Sequence, residues 1–387
     1  MSARVAESSF ADGIRAAAAV AREHAVGVDR DSRFPQEAVD ALRACGALAA
    51  LVPVSLGGPE LPLPDVGAAC FELARACPAT GMVFAMHQIQ VGCLVDGCAT
   101  EDFFRRYLAA MVTKPVLIAS VTSEVGVGGD LRRSIAAVER DGDEIRLEKS
   151  GPTLSYGAHT DDFLITARRS PEAGESDQVI VLVRGSQATL ERTSEWDSLG
   201  MRGTCSPGFR ISAVCAAEQA SAVPFADLAS RTMVPYSHIL WSHVWLGIAT
   251  DAYDRAAAFV RAQARGRPGS VPPTAARLSE LSTRLFALRS IVDSALGEFT
   301  ALRAAGGDGL ATYGYAVRIN NLKVAASEGV FDVCHGALQI CGMAGYKNDT
   351  PFSVGRHLRD SLSAALMIGN DRIHATDASL LLAMKSA

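Results

Sequence analysis

The hydrophobic repeat of this chain changes twice along its length, and that change constrains the fold more than any single motif. From residue 10 to about 110 apolar residues recur at helical spacing. Behind Pro35, the residues Ala38, Ala41, Leu42 and Cys45 fall at i, i+3, i+4 and i+7, and Val66, Ala69, Cys70 and Leu73 repeat the pattern beyond a Gly57-Gly58-Pro59 break. Between about 116 and 216 the repeat shortens to strand-like runs: VLIASV, SIAAVE, EIRLE, DFLITAR, QVIVLV and FRISAV, with a hairpin expected to turn at Asp141-Gly142. From about 226 onward the pattern is helical again, over 226–265, 274–304, 311–342 and 354–386, broken by GRPGSVPP and AAGGDG. Segregated blocks of this kind predict an α+β fold: an N-terminal helical domain (1–115), a central β domain (116–225) and a C-terminal helical bundle (226–387). No strand runs into a glycine-rich helix start, so a dinucleotide-binding βαβ unit is not expected.

Charge and composition exclude several function classes. A net charge of −5 gives no basic field for nucleic acid. The longest apolar runs, such as 44–54, are too short and too punctuated by Gly and Pro to span a bilayer, and the N-terminal stretch lacks the apolar core of a signal peptide. The 9 cysteines are odd in number and scattered through apolar stretches without paired spacing, so they read as reduced core residues of a cytoplasmic protein rather than metal ligands.

Four strings, in order and nearly spanning the chain, resemble the acyl-CoA dehydrogenase family of flavoproteins. These are ALRACGALAALVPVSLGG near the N-terminus, 123-SEVGVGGD-130, LGMRGT at 199–204, and QICGMAGY at 339–346 followed by RHLRDS at 356–361. The resemblance implies a central barrel-like β domain, a C-terminal four-helix bundle, and a homotetramer or homodimer that binds FAD, or alternatively FMN or reduced flavin supplied by a reductase. By position it assigns Thr122, Ser123, Gly128 and Gly129 to the flavin loop, and Thr153 and Ser155 to the vicinity of flavin N5. Gln339 and Met343 correspond to a stretch that reaches the adenylate half across a subunit interface, and Asn370 lies in the C-terminal cofactor-facing turn.

The chain also departs from that family. The carboxylate base usual in a Tyr-Glu-Gly-Thr string is replaced by Ile368, and the alternative position on an earlier helix holds Ser237. The family's Arg-Xaa-Xaa-Phe-Gly string, which holds FAD, aligns with Ala262, Gln263, Ala264, Arg265 and Gly266, leaving Arg261, Arg265 or Arg267 to supply the lost charge. The substrate helix carries Pro235 and His238 in place of an Asp and an Arg. Histidine titrates nearest neutrality, so His238 and His87 are the candidate replacement bases, with Ser237 beside them. His243 reads as a packing residue, Glu124 as a structural loop residue and Asp371 as a lesser base candidate. Trp241 and Trp245, one helical turn apart, read as core or cavity wall. The expected activity is a flavin-dependent oxidation of an acyl thioester, carried on CoA or on an acyl-carrier protein, by a non-standard base. The alternative is an oxygenase of the same fold using reduced flavin and O₂.

Overall fold

A computed structural model describes residues 3–266 and 268–384. The chain divides into two compact units, one of Met1–Val66, Val83–Asp197 and Arg202–Ser237, the other of Gly67–Met82, Ser198–Met201 and His238–Ala387. Five helices come first: α1 (Ala3–Arg30), α2 (Gln36–Ala44), α3 (Leu63–Ala76), α4 (Pro78–Cys93) and α5 (Asp102–Thr113). Pro35 stands at the N-cap of α2, where its missing N–H costs nothing, and Val66, Ala69, Cys70 and Leu73 form the buried stripe of α3. Cys45 is different. The helix ends at Ala44, which leaves Cys45 outside the repeat and exposed, so it is not a core residue. The other eight cysteines are free, with Cys205 half-buried and seven fully buried.

Seven strands follow: β1 (Ile118–Val121), β2 (Glu139–Asp141), β3 (Glu144–Gly151), β4 (Asp162–Arg168), β5 (Gln178–Arg184), β6 (Ala188–Arg192) and β7 (Phe209–Ala216). They form a three-stranded sheet ordered β1-β4-β5 and a four-stranded sheet ordered β2-β3-β7-β6. In the first, β1 pairs parallel to β4 with Ile118 opposite Asp162, and β4 and β5 are buried along nearly their whole length. Such runs need both faces covered. In the second, β3 and β7 alternate buried and exposed residues, the mark of a sheet with one wet face. The expected hairpin is present: Asp141 pairs with Glu144, and Gly142 adopts φ +63° in the turn.

Two segments differ from expectation. Of SIAAVE only Glu139 enters a strand, because the residues before it fold back onto the Glu124 carboxylate and onto β4 through Val138 N to Arg168 O at 2.9 Å. Strand β6 was not foreseen: Ala-Thr-Leu-Glu-Arg is short, buries none of its residues fully and holds only two apolar residues, Ala188 and Leu190.

The remaining helices are α6 (Phe225–Leu228), α7 (Val234–Arg265), α8 (Thr274–Ala304), α9 (Tyr313–Cys341), α10 (Met343–Tyr346), α11 (Gly355–Leu362) and α12 (Asn370–Ala383). Helix α9 is the hub, packed by α8, α10, α11 and α12. On α8 the buried residues Leu281, Leu288, Val292 and Phe299 lie on one stripe, each worth about 1.5–3 kcal/mol relative to exposure. The helix expected over 354–386 is interrupted: α11 ends at Leu362, and Ile368 takes φ +48° before α12 begins. No helix among the described residues is long and apolar enough to cross a membrane.

Candidate active site

In the first unit the segments after β1 and after β3 run side by side. Val125 N donates to Ser150 O at 2.9 Å, and the Ser123 hydroxyl donates to Thr153 O at 3.4 Å. Ser123 and Thr153 are thereby brought together, with Thr122 and Ser155 in the same two segments. Gly126, Gly128 and Gly129 follow with φ of +96°, +61° and +74°, conformations in which a side chain would be strained, and all three are exposed. Behind Ser155 stands a chain of hydroxyls: Ser206 Oγ donates to Ser155 Oγ at 3.0 Å, and Thr204 Oγ1 lies 2.9 Å from Ser206 Oγ. Sequence reasoning passed over Thr204 and Ser206, although both lie in or beside the LGMRGT string.

Glu124 closes the glycine loop from behind. Its carboxylate accepts from Ser134 Oγ at 2.7 Å, Ile135 N at 3.0 Å and Ala136 N at 2.7 Å, with Lys149 Nζ at 3.4 Å. Burial alone would push its pKa up, but the Lys149 charge and those donors outweigh burial and hold it below the usual range. Lys149 is wholly buried, donates also to Thr166 O at 2.6 Å, and is pushed down to about 8 by burial.

The two candidate histidines are differently placed. His87, on α4, is fully buried with both nitrogens engaged: Nδ1 accepts from Ile118 N at 3.0 Å, which leaves the proton on Nε2 to donate to Leu48 O at 2.8 Å. No lone pair is left to take a proton, and burial pushes the ring down to about 4. His87 is therefore a tie between α4 and β1, and as a base it is corrected on geometric grounds. His238, on α7 in the second unit, donates from Nδ1 to Ile319 O at 3.0 Å and holds Nε2 as an acceptor. Burial takes it to about 4 as well, so the ring is neutral at pH 7. Ser237, its neighbour, belongs by contacts to the first unit and is buried. His243 donates from Nδ1 to Ile239 O one turn back at 2.8 Å, as a packing residue does.

In the second unit two of the four family-like strings meet. Met201 N donates to Asp360 Oδ1 at 2.6 Å, Arg359 Nη1 donates to Leu199 O at 3.0 Å, and a Cβ on Gly200 would stand 2.1 Å from Arg359 O. Only glycine fits there. Beside them His357 Nε2 donates to Asp251 Oδ2 at 2.7 Å, and Arg255 Nε donates to the same oxygen at 2.9 Å. Burial opposes the Asp251 charge, but these partners hold it well below the carboxylate range. Asn370 opens α12 and is tied to α9 through Lys323 and Ser327. Gln339 and Met343 lie at the far end of α9 and on α10, exposed, with Gln339 Nε2 3.5 Å from His335 Nε2. They do not share the Asn370 cluster. Arg267 lies outside the described residues.

The acyl-CoA dehydrogenase N-terminal domain family matches residues 6–115 and the C-terminal domain family matches residues 231–379. The chain belongs to the acyl-CoA dehydrogenase family. Within that family it is similar to the cyclohex-1-ene-1-carbonyl-CoA dehydrogenase of Geobacter metallireducens, at 24% identity over 90% of each chain. It is also similar to the L-evernosamine nitrososynthase of a Micromonospora species, at 29% identity over 69% of this chain and 64% of that one. Among solved structures, FMN-bound TdsC of Paenibacillus sp. A11-2, a dibenzothiophene monooxygenase, superposes with a TM-score of 0.84 at 19% identity, covering 98% of each chain. The acyl-CoA dehydrogenase fold is thus shown, and the chain is a flavin-dependent oxidoreductase of that family.

The residues present fit the ring end of a flavin. Two hydroxyl-bearing segments lie side by side next to exposed glycines, and Ser155, accepting from Ser206, keeps its own proton to donate. Neutral acceptors along a ring edge need donors of that kind.

Proposed function

We propose that this protein is a flavin-dependent oxygenase that inserts one atom of O₂ into an organic substrate. The observation that carries the reading is the absence of a carboxylate at either family base position, together with the engagement of both nitrogens of His87. Removal of an acyl α-proton needs a strong positioned base, which a histidine taken down to about 4 is not, whereas oxygen transfer takes no proton from carbon and asks only for a carrier of protons. Bound in its reduced form, the flavin would supply the two electrons that send one oxygen atom into substrate and the other into water. Ser123, Thr153 and Ser155 would hold the ring, with Gly128 and Gly129 letting the backbone approach it. His238, kept neutral by burial, would accept a proton at Nε2 and pass it on. The names of the nitrososynthase and of TdsC, a dibenzothiophene monooxygenase, support the same reading, since neither names an acyl thioester.

The second reading is dehydrogenation of an acyl thioester on CoA or carrier protein, with His238 as base. Its support is the Nε2 lone pair and the similarity to acyl-CoA dehydrogenases over 90% of the chain. One experiment separates the two. The protein is mixed anaerobically with oxidised FMN or FAD and butyryl-CoA, and separately with reduced FMN, O₂ and indole, an aromatic found bound to TdsC. Oxygenated indole without bleaching by butyryl-CoA is the expected result. Bleaching of the bound flavin by butyryl-CoA, with no oxygenated indole, overturns the oxygenase.

A further inference from the structure

Two short stretches of the first unit coil more widely than an α-helix. Leu94–Cys98 continues α4, and Ala229–Met233 joins α6 to α7, each as a π turn, whose hydrogen bonds reach five residues along the chain instead of four. Cys93 ahead of the first, and Leu228 and Val234 on either side of the second, keep right-handed helical dihedrals, so each turn is an extra residue carried inside a continuous helix. Such turns take up well under about 1% of residues in soluble proteins, so two that touch require a common cause.

The contacts run antiparallel. A Cβ on Gly92 would stand 2.5 Å from Tyr236 Cε2, Thr232 Oγ1 donates to Asp96 Oδ2 at 2.9 Å, and a Cβ on Gly97 would collide with the Leu228 side chain. Gly92 and Gly97 are five residues apart, and Leu228 and Tyr236 eight. In unbroken α-helices, at about 100° per residue, those spacings would turn Gly97 about 140° away from the face of Gly92, and Leu228 about 80° away from that of Tyr236. An α-helical face recurs at four and seven. Each helix therefore carries one residue too many, at the same level and against the excess of the other. Sliding cannot absorb it, because the crossing is tied at both ends. His87 fixes α4 to β1; beyond the π turns Cys98 Sγ donates to Ser221 Oγ at 3.3 Å, Ser221 Oγ donates to Glu101 Oε1 at 2.7 Å, and Ser221 N donates to Ile180 O of β5 at 2.9 Å.

We propose that the two π turns are an interlocked conformational joint, in which the extra residue of each helix is held in place by the extra residue of the other, so that neither turn converts to α-helix alone and both convert together. Ser237 and His238 follow Tyr236 directly, so the joint sets the entry of the helix that bears them.

The test uses the full chain. Deleting Val95 restores a spacing of four between Gly92 and Gly97, and deleting Ser230 restores seven between Leu228 and Tyr236. Each single deletion sets a regular helix against a widened one and is expected to lower the melting midpoint by at least about 4 °C, whereas the double deletion sets regular against regular and is expected to melt above both single variants. A double variant that does not melt above both, or does not fold, overturns the interlock. A milder pair gives a second readout. Gly97→Ala drives a methyl into Leu228 and is expected to speed amide exchange at least about fivefold in 229–233 as well as in 94–98, but by less than about twofold in a Leu228→Ala background, where the methyl has room. Acceleration confined to 94–98, or equal in both backgrounds, overturns it.

Discussion

A single hydrogen-bond partner decides what each histidine can do. His238 gives its Nδ1 proton to a carbonyl and keeps a basic nitrogen, whereas His87 meets a backbone N–H, which can only donate, and is thereby locked. His238→Gln is therefore expected to retain flavin and fold while turnover falls about 10²–10⁴-fold, as on loss of a positioned proton carrier. Steady-state rates with flavin occupancy measured alongside check it, and wild-type turnover in the variant would remove His238 from the reaction. His87→Leu should behave oppositely. It leaves Ile118 N buried without its partner, worth about 1–3 kcal/mol, and leaves Leu48 O only the longer bond from Gln88 Nε2 at 3.4 Å, so thermal unfolding shifts down while the turnover of the folded fraction is kept. A melt equal to that of the wild type would contradict this role.

Among the elements, the long helices and the paired strands were legible in the sequence because each buries one continuous face, and a repeat of 3.6 or 2 records that directly. The α3 stripe and the Asp141–Glu144 hairpin are of this kind. The departures occur where a single buried polar group overrides the repeat. Glu124 draws the start of SIAAVE out of strand geometry, and Lys323 stands at the break in the expected last helix. Neither partner is near in sequence, so no local spacing announces it, although a lysine within the apolar run of α9 is a visible oddity. The glycine loop gives a prediction at this scale: Glu124→Gln keeps the shape but loses the charge facing Lys149. It is expected to loosen the loop and weaken flavin binding at least about tenfold, since a buried cation is left unpaired. Flavin titration checks it, and unchanged affinity would mean the loop is held without the pair. The sequence supplied candidate site positions, but not the division of their surroundings into a hydroxyl cluster in one unit and the Lys323 cluster in the other.

For the whole molecule, four buried histidines, His87, His238, His243 and His357, are all pushed down by burial and bear on the response to acid. His87, His238 and His357 are each taken to about 4 in the fold, against about 6.5 when unfolded. Between those values the unfolded chain binds more protons, so stability is full above pH 6.5 and falls as pH drops toward 4, by on the order of 3 kcal/mol for each histidine. Melts taken from pH 7 down to pH 4.5 should show a steady decline; a flat profile would place the acid-sensitive groups elsewhere. Family resemblance also predicts an assembly, a homotetramer or homodimer, to which Gln339 and Met343 contribute from their exposed positions. Light scattering at micromolar concentration checks it, and a mass of 40.7 kDa would contradict it. The cysteines, finally, equip the chain with a gauge of its own opening. Cys45 alone stands exposed, Cys205 is half-covered, and seven thiols are sealed in the interior. A maleimide added to the folded protein would thus tag one or two sites, and every further tag would time the moment at which a particular stretch of the interior met water.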